Sequence, residues 1–140
     1  MPIDYEYQQH AEEHNENELA AALGGYATRG SAPVDVVVTR NGAPVCGIEL
    51  KTLVTQGNDK ITMKSDAMAR KAQWADDCGA ALHTVVFDDR EMIAGSGERR
   101  IYHRYGIGSF RICNMTPVAG GLQGLARLLD TENCATPVIR

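Results

Sequence analysis

Apolar and polar positions along this chain fall into short blocks of differing period. Two runs rich in valine and isoleucine, VDVVVT at 34–39 and APVCGIEL at 43–50, flank Arg40-Asn41-Gly42. Asn-Gly between two apolar runs predicts a tight β-hairpin, because both central turn residues must tolerate positive φ. Upstream, residues 1–14 lack apolar periodicity and read as a loosely ordered N-terminal segment. Residues 13–23 place Leu19 and Leu23 four apart among alanines and end at Gly24-Gly25, which predicts a first helix docked by its leucine and alanine face. Residues 26–31 read as an edge strand or extended approach, and glycine and proline bracket a loop at 30–33.

After the hairpin the chain stays extended, breaks at Gly57-Asn58-Asp59 and resumes briefly. Residues 65–78 carry a strong helix signature, with Ser65 as N-cap, Asp66 in the first turn and Gly79 as the stop. Met68, Ala69, Ala72 and Ala75 supply its packed stripe, and Trp74 reads as a packing anchor rather than a base-stacking platform. ALHTVVF at 81–87 reads as a buried strand, with His83 a satisfied structural histidine. Residues 90–99 form a polar loop. IYHRYG and GSFRICNM, separated by Gly106-Ile107-Gly108, suggest a second hairpin from which Arg104 and Arg111 project. Leu122, Leu125, Leu128 and Leu129 form the apolar face of a last helix at 121–129. Residues 131–140 are then a C-terminal tail. This order predicts one α/β domain over residues 15–130, a mixed sheet with helices on its faces.

Composition adds exclusions. At 140 residues and 44% hydrophobic, the chain can bury a real core. No run is long and apolar enough to span a bilayer, and the acidic N-terminus is no signal peptide, so the expectation is a cytoplasmic protein without a membrane partner. Cys46, Cys78, Cys113 and Cys134 stand far apart with no CxxC pair, which fits small buried hydrophobes with reduced thiols and offers no zinc site. Net charge is −4, but it is unevenly spread: residues 1–50 set two arginines against eight acids, while 51–111 set ten Lys/Arg against eight acids. That asymmetry is compatible with phosphate contacts made from the middle of the chain.

Three charges interrupt the apolar hairpin: Asp35, Glu49 and Lys51. Alternation puts Glu49 and Lys51 on one face while Ile48 and Leu50 face the core, and Asp35 can lie across from them. A salt-bridged cluster at a strand end is the plain structural reading. The functional one is metal-assisted phosphodiester cleavage. Mg²⁺ or Mn²⁺ takes hard oxygen ligands, which Asp35, Glu49 and the Leu50 carbonyl would supply, while Lys51 orients or helps deprotonate the attacking water. Glu16 or Glu18 of the first helix could face the same site, and Arg70 and Lys71 could turn toward a ligand.

Pro33-Val34-Asp35 followed by Glu49-Leu50-Lys51 resembles the PD-(D/E)XK nuclease superfamily, with Val34 separating proline from aspartate. The helix glutamates, then Gly30-Ser31 and Asp35, resemble the opening of archaeal Holliday-junction resolvases within it. Those enzymes place a basic residue directly after the helix glutamate, where this chain has Asn17. The second half, from IELKTLVTQGNDKITMK to IYHRYGIGSFRI, is similar to a nuclease-like domain of phage Mu F-type minor head proteins. The resemblance implies a restriction-endonuclease-like fold and a Mg²⁺- or Mn²⁺-dependent endonuclease acting on DNA, branched DNA included, as a homodimer of phage or prophage origin. It implies catalytic roles for Asp35, Glu49, Lys51 and Glu16 (Glu18 being the rival), metal ligation by Asp35, Glu49 and Leu50, and substrate contact by Ser31, Arg70, Lys71 and Arg104. The alternatives are an inactive nucleic-acid-binding or virion-associated module and an RNA-cleaving toxin domain.

Overall fold

Asn41 and Gly42 both take left-handed backbone, at φ 54° and 78°, and close the expected hairpin. They join strand β2 (Val36–Arg40) to β3 (Ala43–Leu53) in an antiparallel register that pairs Val36 with Ile48 and Arg40 with Ala43. The computed structural model describes residues 5–57 and 59–131. Within them, α1 (Tyr5–Leu23) leads into the edge strand β1 (Gly25–Ala27) and the hairpin. The short β4 (Lys60–Ile61) and α2 (Ser65–Cys78) then carry the chain to β5 (Ala81–Asp88). Next come α3 (Arg90–Ala94), β6 (Arg100–Tyr105), β7 (Phe110–Arg111), β8 (Thr116–Pro117) and α4 (Gly121–Thr131).

The main sheet has the order β1-β2-β3-β5-β6-β8, and β4 pairs with β7 in a separate two-stranded ribbon. β3 and β5 run parallel, linked by the α2 crossover, while the other described pairings are antiparallel. On one face, Leu19, Ala20 and Leu23 of α1 and Leu125 and Leu129 of α4 bury against Val36, Ile48, Leu50, Val85 and Phe87. On the other, Ile61 and Phe110 of the ribbon cover Leu53 and Val86. The chain is therefore a single α/β domain, a mixed six-stranded sheet flanked by helices, consistent with a restriction-endonuclease-like fold. Among the described residues no helix is long and apolar enough to cross a membrane.

Several local expectations are corrected. The first helix begins at Tyr5, not near Glu13, so residues 5–14 are not a loose segment. They lack an apolar stripe but abound in Glu, Gln and Ala, which let a helix anchored by Leu19 and Leu23 propagate outward. The N-cap of α2 is Lys64, without a side-chain cap bond, while Gly79 closes the helix in left-handed backbone as expected. The polar stretch after β5 contains α3. The second hairpin does not form. β6 pairs with β5 and β8, and β7 pairs with β4, because Phe110 and Ile61 gain more by burying together against Leu53 and Val86. Cys78 and Cys113 are exposed free thiols, not buried ones, and Cys46 is buried but disulfide-bonded. Cys134 and most of the expected tail, residues 132–140, lie outside the described residues.

Candidate active site

The site is built where β2 ends and β3 continues. Pairing stops at Val36 with Ile48, and Asp35 stands just before β2. Its N–H still donates to the Ile48 carbonyl at 3.0 Å, and its carbonyl accepts the Thr28 N–H at 3.0 Å. Its carboxylate then substitutes for the absent strand partner, with Oδ2 accepting the Leu50 N–H at 2.9 Å. The N–H and C=O of one strand residue point to the same side, so the Leu50 carbonyl also opens toward Asp35.

Glu49 lies on the opposite face of β3 from the Ile48/Leu50 core and is only 6% exposed. Burial pushes its carboxyl up to about 7, a hydrogen bond and repulsion from Asp35 add to the rise, and Lys71 and Lys51 oppose it. A carboxyl held this high keeps its proton through weakly acid pH unless a cation takes the proton's place.

That cation charge comes first from α2. Gly47 leaves room for the indole of Trp74, which approaches within 2.5 Å of where a Cβ would stand. Trp74 seated over Gly47 brings Lys71, one turn earlier, over Glu49 two residues along β3. Lys71 Nζ sits 3.5 Å from Glu49 Oε2 with a side chain 12% exposed, and it also donates to the Pro33 carbonyl. Lys51 shares the Glu49 face and eases its carboxyl less than Lys71 does.

Glu16 approaches from α1. Its carboxyl is held up by burial and by Asp35, and Arg29 works the other way from 3.4 Å. Arg29 also donates to Asn17 Oδ1 at 2.7 Å and has left-handed backbone, φ 51°. Glu16, Arg29, Pro33 and Asp35 line a cavity of about 420 Å³. Glu18 does not join them. Residues two apart on a helix point about 200° from each other, and Glu18 binds Arg99 at 2.8 Å. There Arg99 also holds Asp89 at 2.7 Å and Asn15 at 2.9 Å and stacks over Phe87.

The structure thus brings together Asp35, Glu49, Leu50, Lys51, Glu16 and Lys71. Arg70, expected beside Lys71, points instead to solvent, paired with Asp66 at 3.3 Å. Adjacent helix residues diverge by about 100°. Ser31 braces the loop, its hydroxyl donating to the Thr28 carbonyl at 2.7 Å. Arg104 lies in register with Glu49 across Thr84, two strands away on the same face, where it stacks on Phe110 at 4.2 Å. Arg29 escaped the sequence reading, although it is one of only two basic residues among the first fifty. His83, fully buried on the α4 side, pairs Nδ1 to His103 Nε2 at 3.0 Å.

Among the described residues no cluster of three or more His, Cys, Asp or Glu is disposed to hold a metal ion. The pair of Asp35 and Glu49 nevertheless fits a hard divalent ion. The donors are all oxygen, and Mg²⁺ commonly rests on one or two carboxylates with water or substrate oxygens completing the shell. Fold and site together define an α/β domain with a buried carboxylate–lysine constellation beside its central hairpin. No protein-family model and no curated protein matches the chain.

Proposed function

We propose that this chain is a metal-dependent endonuclease of the PD-(D/E)XK kind, hydrolysing phosphodiester bonds in DNA. The observation that carries the proposal is the convergence of two acids at the start of β2: Asp35 bonded to the Leu50 N–H, and buried Glu49 with a lysine ammonium 3.5 Å from its carboxylate. Asp35, Glu49 and the Leu50 carbonyl would hold Mg²⁺ or Mn²⁺. When bound, such an ion neutralises phosphate charge and lowers the pKa of water. Asp35 is fixed for this role by the Leu50 N–H, and Glu49 by Lys71. Lys71 and Lys51 would place positive charge where negative charge builds on the phosphate, and Glu16, which lines the cavity beside Asp35, would take a proton from an approaching water. DNA as partner, a homodimeric assembly and a cytoplasmic or virion-associated location belong to the same proposal.

A second reading is favoured by one observation: Lys71 is already bonded to the Pro33 carbonyl and paired with Glu49, so the cluster is internally satisfied. On that reading the domain binds nucleic acid without cutting it. The deciding experiment incubates the purified chain with Mg²⁺ and supercoiled, single-stranded and branched DNA, with RNA alongside. Cleavage should occur and fall by about 10²–10⁴ in folded Glu49→Ala. Equal cleavage by that variant refutes the proposal; salt-sensitive binding without cleavage supports the second reading. Cleavage confined to RNA would support the toxin alternative.

A further inference from the structure

We infer that a second cavity, on the same sheet face as Glu49, takes backbone phosphates of the strand engaged at the acid pair. The inference rests on the nucleic-acid reading above and deepens it. The cavity has a volume of about 720 Å³ and is lined by Asp88, Arg90, Arg100, Tyr102 and Arg111, among others.

Strand register fixes where it lies. Three lateral rows run across this face: Glu49, Thr84 and Arg104; then Lys51, Val86 and Tyr102; then Leu53, Asp88 and Arg100. The cavity occupies the second and third rows, so it extends about 13 Å from Glu49 along the strands at about 3.3 Å per residue, and one to two strands to the side at about 4.8 Å each. It opens at the carboxyl ends of the parallel pair β3 and β5, the end at which open α/β sheets form their ligand crevices. The β4–β7 ribbon covers Val86 and Leu53 between the two sites, so a strand leaving the acid pair would reach the cavity over the outside of the ribbon.

The charges inside sort into two kinds. Arg90 is buried and spent, holding Asp88 at 2.8 Å and Asp59 at 3.0 Å. Those two acids are thereby neutralised and the floor is fixed. Arg100 and Arg111 are different. Arg100 is 60% exposed, and its carboxylate partner Glu91, at 3.1 Å, is also exposed. Such exposed pairs contribute little and exchange readily for a phosphate. Arg111 sits directly opposite Lys60 in the β4–β7 ribbon. Arg111 lines the cavity and is exposed, and no carboxylate among the described residues pairs with it. An anion entering the cavity would meet Arg111 and the readily exchanged Arg100. The half-buried Tyr102 ring completes the wall.

The test is fluorescence anisotropy of a labelled single DNA strand in chelator, across a salt series, with the full chain. Arg111→Ala should weaken binding several-fold and lower the slope of log affinity against log salt by about 0.7–1. Glu91→Gln, which frees Arg100, should tighten binding. Both substitutions are at the surface and leave the fold intact. Inorganic phosphate should compete with the strand for the parent more effectively than for Arg111→Ala. Unchanged affinity and slope in both variants, or no strand binding by the parent at any salt, overturns the inference. Arg111-dependent phosphate binding with strand affinity unaltered overturns it too, in favour of a free-anion site. Cleavage that persists while both variants bind like the parent sinks only this inference. Arg111-dependent binding without cleavage sinks only the nuclease reading.

Discussion

Two lysines compete for Glu49, and their distances from it in sequence and in space are reversed. Lys51 is two residues away on the same strand face, while Lys71 is on another element yet lies 3.5 Å from Oε2. A cation beside a buried carboxylate favours its charged form in proportion to proximity and desolvation. Lys71→Met should therefore raise the Glu49 carboxyl further above about 7, by on the order of one unit, and Lys51→Met by less. Carbon-detected NMR titration of the Glu49 side chain reads both variants directly. A larger rise in Lys51→Met would return the dominant role to the strand lysine. The sequence pointed to Lys51 because an acid and a base two apart on a strand share a face, and to Lys71 only as a substrate contact on the second helix. It could not rank them, because the rank depends on how α2 sits over β3.

At the scale of elements, that seating depends on Gly47. A Cβ there would stand 2.5 Å from the Trp74 ring and 3.0 Å from Val34 Cγ2, both part of packed structure and unable to give way. Gly47→Ala should thus destabilise the fold by about 1–3 kcal/mol and lift α2, drawing Lys71 from Glu49. Urea unfolding checks the first effect; a Glu49 titration moving in the same direction as in Lys71→Met checks the second. Unaltered stability would mean that Trp74 is not the spacer. The hairpin, the docked face of α1 and the stop of α2 were legible because each rests on local rules: Asn41-Gly42 backbone, Leu19 and Leu23 spacing, Gly79. The pairing of β7 with β4 was not legible. Phe110 and Ile61 lie 49 positions apart, and nothing local says that they will share a pocket over Val86. Likewise, helix period alone separates Glu16 from Glu18, but only the position of the sheet says which of them meets Asp35.

Over the whole molecule, two buried ionisable sites lie on opposite faces of the sheet and oppose each other in their response to pH. Glu49 titrates at about 7 when folded, above its ordinary 4.5. Between those values the native state keeps a proton that the unfolded chain has released, so stability falls as pH rises through that window. Glu16, also raised, acts in the same direction. His103, buried beside His83, is lowered from 6.5 to about 4. Between those values the unfolded chain binds a proton that the native state refuses, so here stability rises with pH. The Glu49 and His103 effects are each on the order of 3 kcal/mol over the full window. The sites share no partner, so their effects should add. In the overlap from about 4.5 to 6.5 the Glu49 and His103 slopes oppose and largely offset each other, with Glu16 tilting the parent toward falling stability. Glu49→Gln removes one slope and should leave stability climbing with pH; His103→Gln removes the other and should leave it falling. Urea denaturation of all three proteins across pH 4–8 in chelator measures the slopes, which remain readable even if either substitution shifts the absolute stability. Parallel curves for the three would show that neither group carries the shift that burial and its neighbours impose.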